Sequence, residues 1–381
     1  MNIVTLLQPP RLVFGNGCAP QCAELLQRKA VRRVLLVSST PVWKTIGPVL
    51  EALSSAGLSV VPAPPVDTEP TIAMFEAARA VARQEQVEAV LGIGGGSPLD
   101  VAKLVAAFAH SQQSVREVFG INLLPGRALP LVCLPTTAGT GSEVTPNAIL
   151  LDETEKLKKG VVSPHLVPDA AYVDPLLTLS VPPAVTAATG LDALTHCIEA
   201  YANKFAHPAV DLYALNGVRL ISAHLLRAVR NGADAEARAS LALGSMFGGL
   251  CLGPVNTGAV HALAYPLGGE FHVAHGVSNA LLLPHVLRFN LPAAPERYAE
   301  IALALGLERA GSPAITAERG VERLAELARE CGVPQKLSAV GVPRDAIPRM
   351  AQAAMTVTRL LKNNPRPVSE ADAIRIYEAA C

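Results

Sequence analysis

The 381-residue sequence predicts an α/β domain with a doubly wound parallel sheet over residues 1–182, followed by an all-α domain over residues 183–381. Three observations predict this. The chain is long for a single hydrophobic core, so two domains are the expected solution. Its first third alternates β-rich runs with amphipathic helical patterns. After Pro182–Pro183 the alternation stops and alanine-rich helical segments take over, separated by Gly, Pro and Asn.

Taken in order, VRRVLLVSS (31–39) is a β-branched and apolar run, followed by a helical pattern to about Ser55. LSVVPAPPV (58–66) is a second extended run, and TIAMFEAARAVARQE (71–85) has apolar residues at helical spacing. VEAVLGIGGGS (87–97) returns to strand, then PLDVAKLVAAFAH (98–110) reads as helix with Pro98 suited to its first turn. LPLVCLPTT (129–137) is another buried strand. Strands alternating with helices place ligands at the carboxyl ends of a parallel sheet. In the second half, VDLYALNGVRLISAHLLRAVRN and ITAERGVERLAELAREC carry the helical signal.

Composition narrows the function. The chain is 50% hydrophobic and 17% charged, so it builds a large core. Its 32 basic and 32 acidic residues balance, which gives no electrostatic footprint for nucleic acid or an anionic membrane. The expected partners are a small molecule and further copies of the chain. The N-terminal MNIVTLLQPPRLVFG lacks the pattern of a signal peptide, and seven scattered cysteines form no disulfide framework, with Cys18 and Cys22 read as packing residues. A cytoplasmic home follows. Residues 239–269 contain no Asp, Glu, Lys or Arg, long enough to raise a membrane span, but their glycines, prolines and polar residues favour a buried helix followed by a ligand-facing loop.

Three stretches carry chemistry. In VLGIGGGSPLDVAK (90–103) three glycines and Ser97 separate a strand from a helix, where backbone N–H groups and the helix dipole favour a phosphate. The pattern departs from G-x-G-x-x-G, because Ser97 stands at the last glycine and the turn follows the third strand of the alternating region. A tight turn that needs glycine only for its dihedrals is the competing reading, with Asp100 and Lys103 as a surface ion pair. LPTTAGTGSEVT (134–145) is a loop of small hydroxyl residues able to ring a polar cofactor. In TGLDALTHCIEAY (189–201), Asp192 and His196 share one helix face. The pair alone reads as a helix-face hydrogen bond. With His261 and His275, which bracket VHALAYPLGGEFHVAHG, it makes a tetrad suited to Fe²⁺ or Zn²⁺, with Pro266, Gly268 and Gly269 expected to end the intervening helix and His272 a rival ligand. His110, His165, His207, His224 and His285 have no partner pattern.

Together these motifs, with RLVFGNG near the start and NNPRPVSEAD near the end, resemble the iron-containing (group III) alcohol dehydrogenase family across nearly the whole chain. The resemblance implies a Rossmann-like dinucleotide-binding domain (1–182) and a helical metal- and substrate-binding domain (183–381), the dehydroquinate synthase-like architecture, with catalysis in the cleft between. It implies Asp192, His196, His261 and His275 as ligands of Fe²⁺, with Zn²⁺ as the alternative. It implies Gly94, Gly95, Gly96, Ser97 and Asp100 along the pyrophosphate, Thr136, Thr137, Thr140 and Ser142 near the nicotinamide ribose and ring, and Lys158, or adjacent Lys159, as a further cofactor contact. The activity implied is hydride transfer between a small alcohol, or its aldehyde or ketone, and NAD(P)(H), by a homodimer or larger homo-oligomer.

Two departures from the family pattern stand out. Tyr265 occupies the place of a frequent histidine four residues after the third ligand, and is a further catalytic candidate. Ser39 replaces the aspartate that often ends the VLLVSS strand, so that no carboxylate repels a 2′-phosphate, and use of both cofactors with a lean to NADP(H) is expected. Two alternatives share the architecture: a metal-independent maleylacetate-reductase-like enzyme, expected to lack ligands that are present here, and a dehydroquinate-synthase-like lyase, disfavoured by the absence of basic residues from 239–269.

Overall fold

The computed structural model describes residues 3–155 and 157–381, so Met1 and Asn2 of the N-terminal stretch read above, and Lys156, lie outside it. The chain forms two compact units, one of residues Leu7–Val181 and one of Pro182–Cys381 together with residues 3–6.

In the first unit the strands are β1 (Arg11–Phe14), β2 (Arg33–Ser38), β3 (Ser59–Pro62), β4 (Ala89–Gly94), β5 (Gly120–Ile121), β6 (Leu131–Pro135), β7 (Asn147–Asp152), β8 (Leu157–Val162) and β9 (Ala170–Val173). The helices are α1 (Cys22–Arg28), α2 (Gly47–Ser55), α3 (Ile72–Gln84) and α4 (Gly96–Phe108). Six strands form a wholly parallel sheet in the order β1-β9-β6-β4-β2-β3. β4 and β6 are buried at every position, and β2 at every position after Arg33, as expected of strands covered on both faces. Two separate apolar cores cover the sheet, one containing α3 and α4 residues such as Phe75 and Phe108, the other α1 and α2 residues such as Leu26 and Leu53.

The topology explains the position of the glycine turn. From β2 the chain steps to β3 on one side, then returns to β4 on the other side of β2 and continues to β6. The order therefore reverses between β2 and β4, and ligands of such sheets bind outside the strand ends at that point. The triglycine turn follows β4, at the reversal, although β4 is not the first strand of the sheet. The sequence pattern missed β1, β9 and a second sheet of order β5-β8-β7, in which β7 and β8 are antiparallel. These strands are short or, in LKKGVV of β8, carry lysines that mask the strand signal.

The second unit contains α5 (Pro183–Tyr201), α6 (Pro208–Arg230), α7 (Ala235–Leu252), α8 (Ala259–Phe271), α9 (His275–Asn290), α10 (Pro295–Ala304), α11 (Pro313–Glu330), α12 (Ile347–Met355), α13 (Thr358–Leu361) and α14 (Glu370–Ala379). The Asp192 helix, α5, is buried on all sides from Gly190 to Tyr201, so its polar residues lie in the interior. The expectation that Pro266, Gly268 and Gly269 end the next helix is corrected: α8 runs through Pro266 to Phe271. Proline removes one backbone hydrogen bond there, but residues 259–269 are all buried, and packing outweighs that loss. The helix ends at His272, in the left-handed conformation (φ 56°). The uncharged stretch 239–269 thus divides between α7 and α8, and no helix among the described residues is long and apolar enough to cross a membrane.

Candidate functional site

In the helical unit, one buried cluster brings three expected residues together. Asp192 comes from the middle of α5, His261 from the first turn of α8 and His275 from the first residue of α9. One donor atom from each lies within 4.8 Å of the other two. Asp192 Oδ1 is 3.5 Å from His261 Nε2 and 3.6 Å from His275 Nε2. His196 stands alongside: its Nε2 is 3.9 Å from the same carboxylate oxygen, and its ring stacks on His261 with centroids 4.7 Å apart. It is outside the set of three mutually close donors. The rival His272 is exposed and does not join the cluster.

Asp192 and His261 are almost wholly buried. Burial pushes the Asp192 carboxyl upward, but His196, His275 and His261 outweigh it and hold the group well below the usual carboxylate range. Burial likewise works to lower His261, while the carboxylates of Glu199 and Asp192 raise it to about 9. The cluster is thus built to keep a carboxylate charged among imidazoles.

Two further residues belong to this cluster and were not singled out from the sequence. Asn279, one turn beyond His275, is buried and points its Nδ2 at Asp192 Oδ1 (2.6 Å), His261 Nε2 (3.0 Å) and His275 Nε2 (3.2 Å). Its Oδ1 is buried with no hydrogen-bond partner among the described residues. An amide NH₂ with two protons thus faces three lone-pair atoms around one point, and a carboxylate with two imidazoles is a donor set that Fe²⁺ and Zn²⁺ accept. The residues fit a divalent metal. Glu199 is the other addition: seven residues after Asp192 on α5, it takes His261 Nδ1 at 2.5 Å. Its only sequence signal is the helical spacing from Asp192 and His196.

Tyr265 is buried on α8, its ring 6.4 Å from that of His275. Its hydroxyl accepts a hydrogen bond from the guanidinium of Arg359 at 3.4 Å.

In the α/β unit, the triglycine turn and the hydroxyl loop face each other. Thr136 N–H bonds Gly94 O at 2.9 Å. A methyl group at Gly95 would stand 3.3 Å from Thr137 Oγ1, and one at Gly96 would stand 2.6 Å from Thr140 Cγ2. The first contact is tight, and the second would force Thr140 to shift. Gly95 caps α4 without a side-chain hydrogen bond to the first turn, so Ser97 lies inside the helix rather than capping it. The uncapped N–H groups of that turn suit an anion.

Asp100 and Lys103 do not form the surface ion pair weighed above. Lys103 is wholly buried, its Nζ bonded to Thr145 O, Thr145 Oγ1 and Asn147 O. Asp100 accepts from Ser142 Oγ at 2.6 Å and from Ile149 N–H at 2.9 Å. Both side chains tie the hydroxyl loop and β7 to α4. Burial raises the Asp100 carboxyl and lowers the Lys103 ammonium. Lys158 is buried on β8 and pairs with Glu69 at 2.9 Å, whereas Lys159 pairs with Asp152 and Glu155.

Ser39 follows β2 directly, and a carboxylate from another strand end lies beside its neighbour Thr40. Asp67, which follows β3, reaches across to accept from Thr40 N–H and Thr40 Oγ1, both at 2.7 Å. The contact joins residues 27 apart, which neither local pattern reveals.

Comparison with known proteins agrees along the whole chain. Residues 9–175 match the family described as iron-containing alcohol dehydrogenase, and residues 186–381 match its C-terminal region, described as Fe-containing alcohol dehydrogenase family, C-terminal. The chain is 40% identical to long-chain-alcohol dehydrogenase 1 of Geobacillus thermodenitrificans, over 100% of this chain and 97% of that protein. It is 36% identical to 1,3-propanediol dehydrogenase of Klebsiella pneumoniae, over 96% of each. A crystal structure of a 1,3-propanediol oxidoreductase superposes with a TM-score of 0.96 over 100% of both chains, at 36% identity.

Proposed function

Because the chain belongs to the iron-containing alcohol dehydrogenase family, we propose that Asp192, His261 and His275, with His196 alongside, hold one divalent metal, Fe²⁺ or Zn²⁺. The protein is an oxidoreductase that interconverts an alcohol with its aldehyde or ketone. The observation that carries the metal reading is the convergence, within 4.8 Å, of three donor atoms from three helices, two on buried residues and the third on the half-buried His275.

When bound, the metal supplies Lewis acidity to the alcohol or carbonyl oxygen, and the nicotinamide accepts or supplies the hydride. The remaining work belongs to the chain. Asp192 supplies the fixed negative charge of the ligand set, and the surrounding apolar faces of α5 and α8 exclude water. Tyr265 holds a proton at its Oη, oriented by Arg359, on the side of His275. The turn Gly94–Gly96 and Ser97 present the first turn of α4 to the pyrophosphate, and Thr136, Thr137, Thr140 and Ser142 surround the cofactor as a polar rim. Asp100 acts by holding Ser142 and β7 in place. Lys158 would reach a ribose or phosphate oxygen only by exchanging its Glu69 partner for it.

NAD(H) is the cofactor favoured by this reading. With Asp67 on Thr40, NADP(H) is admitted only as far as that carboxylate allows. Relatives named for long-chain alcohols and for 1,3-propanediol leave the length of the alcohol to be measured. A cytoplasmic homo-oligomer is part of the same proposal, in keeping with seven free cysteines.

The test is oxidation of NADH and NADPH with propanal through to long-chain aldehydes, by chelator-stripped protein into which Fe²⁺ or Zn²⁺ is titrated without oxygen. Activity should rise to a plateau near one metal per chain and be absent in His261→Ala. Full activity in stripped protein would overturn the metal reading in favour of a metal-independent reductase.

A further inference from the structure

The metal reading leaves unexplained why α5 buries a second carboxylate. Glu199 has only about 5% of its side chain exposed and faces the far nitrogen of His261. Its two oxygens are divided between neighbouring residues: Oε1 accepts from Val260 N–H at 2.7 Å, and Oε2 faces His261 Nδ1 at 2.5 Å. On the other side of the ring, His261 Nε2 accepts from Asn279 Nδ2.

The end of α8 is held by a further set of buried groups. Gly258 precedes the helix and has no side chain to cap it. A methyl group at Gly258 would stand 3.2 Å from Glu199 Oε1 and 3.3 Å from Asn364 Oδ1, so these two side chains fill the capping position. Asn364 Oδ1 accepts from Ala259 N–H at 3.4 Å and from Asn290 Nδ2 at 2.9 Å, and Asn364 Nδ2 returns a bond to Asn290 Oδ1 at 2.7 Å. Asn363 Nδ2 donates to Thr257 O at 2.8 Å. The NNPRP motif thus braces the helix end that carries His261.

We propose that Glu199 is a positioning residue that fixes His261 as the Nδ1–H tautomer and leaves Nε2 free to take a metal, with Asn363, Asn364 and Asn290 holding the helix end against which it acts. The inference rests on the metal reading above, and the chemistry distinguishes a carboxylate from its amide. Two donors converge on Glu199, and a carboxylate accepts both. A glutamine has one acceptor oxygen. With that oxygen on Val260 N–H, its NH₂ faces Nδ1 and donates, which moves the imidazole proton to Nε2, the atom that must coordinate. With the amide reversed, two donors face each other at Val260. Carboxylate support of this kind on a ligating histidine is typically worth about 10- to 100-fold in metal affinity.

The experiment uses the full-length, chelator-stripped chain with selectively ¹⁵N-labelled histidine. Long-range ¹H–¹⁵N correlation above pH 9, where the His261 imidazole is neutral, reads its tautomer, and competition with a chromophoric chelator reads Zn²⁺ affinity. The wild type should show His261 as Nδ1–H and bind Zn²⁺. Glu199→Gln should move the proton to Nε2 and lower affinity about 10- to 100-fold. Glu199→Ala, which removes the brace without imposing the wrong tautomer, should lower affinity by no more than Gln does. An Nε2–H tautomer in the wild type would overturn the proposal whether or not the variants fold. So would a Gln variant that binds Zn²⁺ within twofold of wild type. A wild type that binds no Zn²⁺ would instead overturn the metal reading itself.

Discussion

Gly276→Ala should disrupt the proposed metal site without replacing a proposed ligand. Gly276 is the second residue of α9, directly after His275, where that helix crosses α5. A Cβ placed there lies 2.1 Å from Ala188 O and 2.6 Å from Ala188 C, both backbone atoms that cannot rotate away. Real Cβ contacts essentially never fall below 3.0 Å, so the helices must part by 3.0 minus 2.1, about 0.9 Å. Ala188 is one turn before Asp192 on α5, so the displacement is delivered beside the 3.6 Å approach of His275 Nε2 to Asp192 Oδ1. Metal–ligand distances tolerate only about 0.2 Å, so a shift several times larger should cost at least about tenfold in affinity, with ~1–3 kcal/mol of overpacking strain. Chelator competition for Zn²⁺ and thermal melts of the stripped proteins measure the two effects. Gly47→Ala is the control, since nothing lies within 4 Å of a Cβ there. A Gly276→Ala protein that binds Zn²⁺ within twofold of wild type would refute the reasoning, because the α5–α9 spacing would then not set the ligand geometry.

Three other perturbations probe the α/β unit. Asp67→Asn removes the charge held by Thr40; a 2′-phosphate of charge about −2 at roughly 5 Å in water repels it by ~1–2 kcal/mol, so kcat/KM for NADPH relative to NADH should rise about tenfold. An unchanged ratio would remove Asp67 from cofactor choice. Gly96→Ala drives a methyl group to 2.6 Å from Thr140 Cγ2 and should weaken NADH binding about tenfold in a fluorescence titration; equal affinity would mean that the two loops do not shape the cofactor seat. Glu143 is buried, and burial raises its carboxyl from 4.5 to about 7 against the opposing pull of Lys103. Below pH 4.5 it is protonated in folded and unfolded chains alike; between 4.5 and 7 the unfolded chain ionises first and stability falls, the loss being complete above about 7, to a maximum of ~3 kcal/mol. Glu143→Gln should therefore gain in urea midpoint over wild type as pH rises from 4 to 8, and a difference independent of pH would contradict the burial argument.

What the sequence revealed follows the range of the interactions. The strands β2, β4 and β6 and the glycine turn are local patterns of burial and backbone freedom, and they were legible. The spacing of Asp192 and His196 on one helix was legible for the same reason. His261 and His275 lie close to Asp192, but the turn reasoning that brought them into the reading misjudged α8, where burial carried the helix past Pro266. Asn279 and Glu199 were hidden because their meaning lies in partners 87 and 62 residues away. Lys103 and Asp100 deceived in the opposite direction, since a charged pair on a helix suggests solvent, and only the packing of β7 shows them to be interior struts.

The second buried carboxylate of α5 also sets a charge balance. A metal ligated through the imidazole nitrogens would displace any proton there, so around a bound ion the carboxylates of Asp192 and Glu199 would contribute two negative charges. A divalent cation brings that sum to zero, whereas a trivalent one leaves a whole positive charge away from water, an arrangement proteins resist strongly. On the proposed metal reading, ferrous iron and zinc would suit such an interior alike, and loss of one electron by the iron would turn a balanced site into one that favours release of the ion.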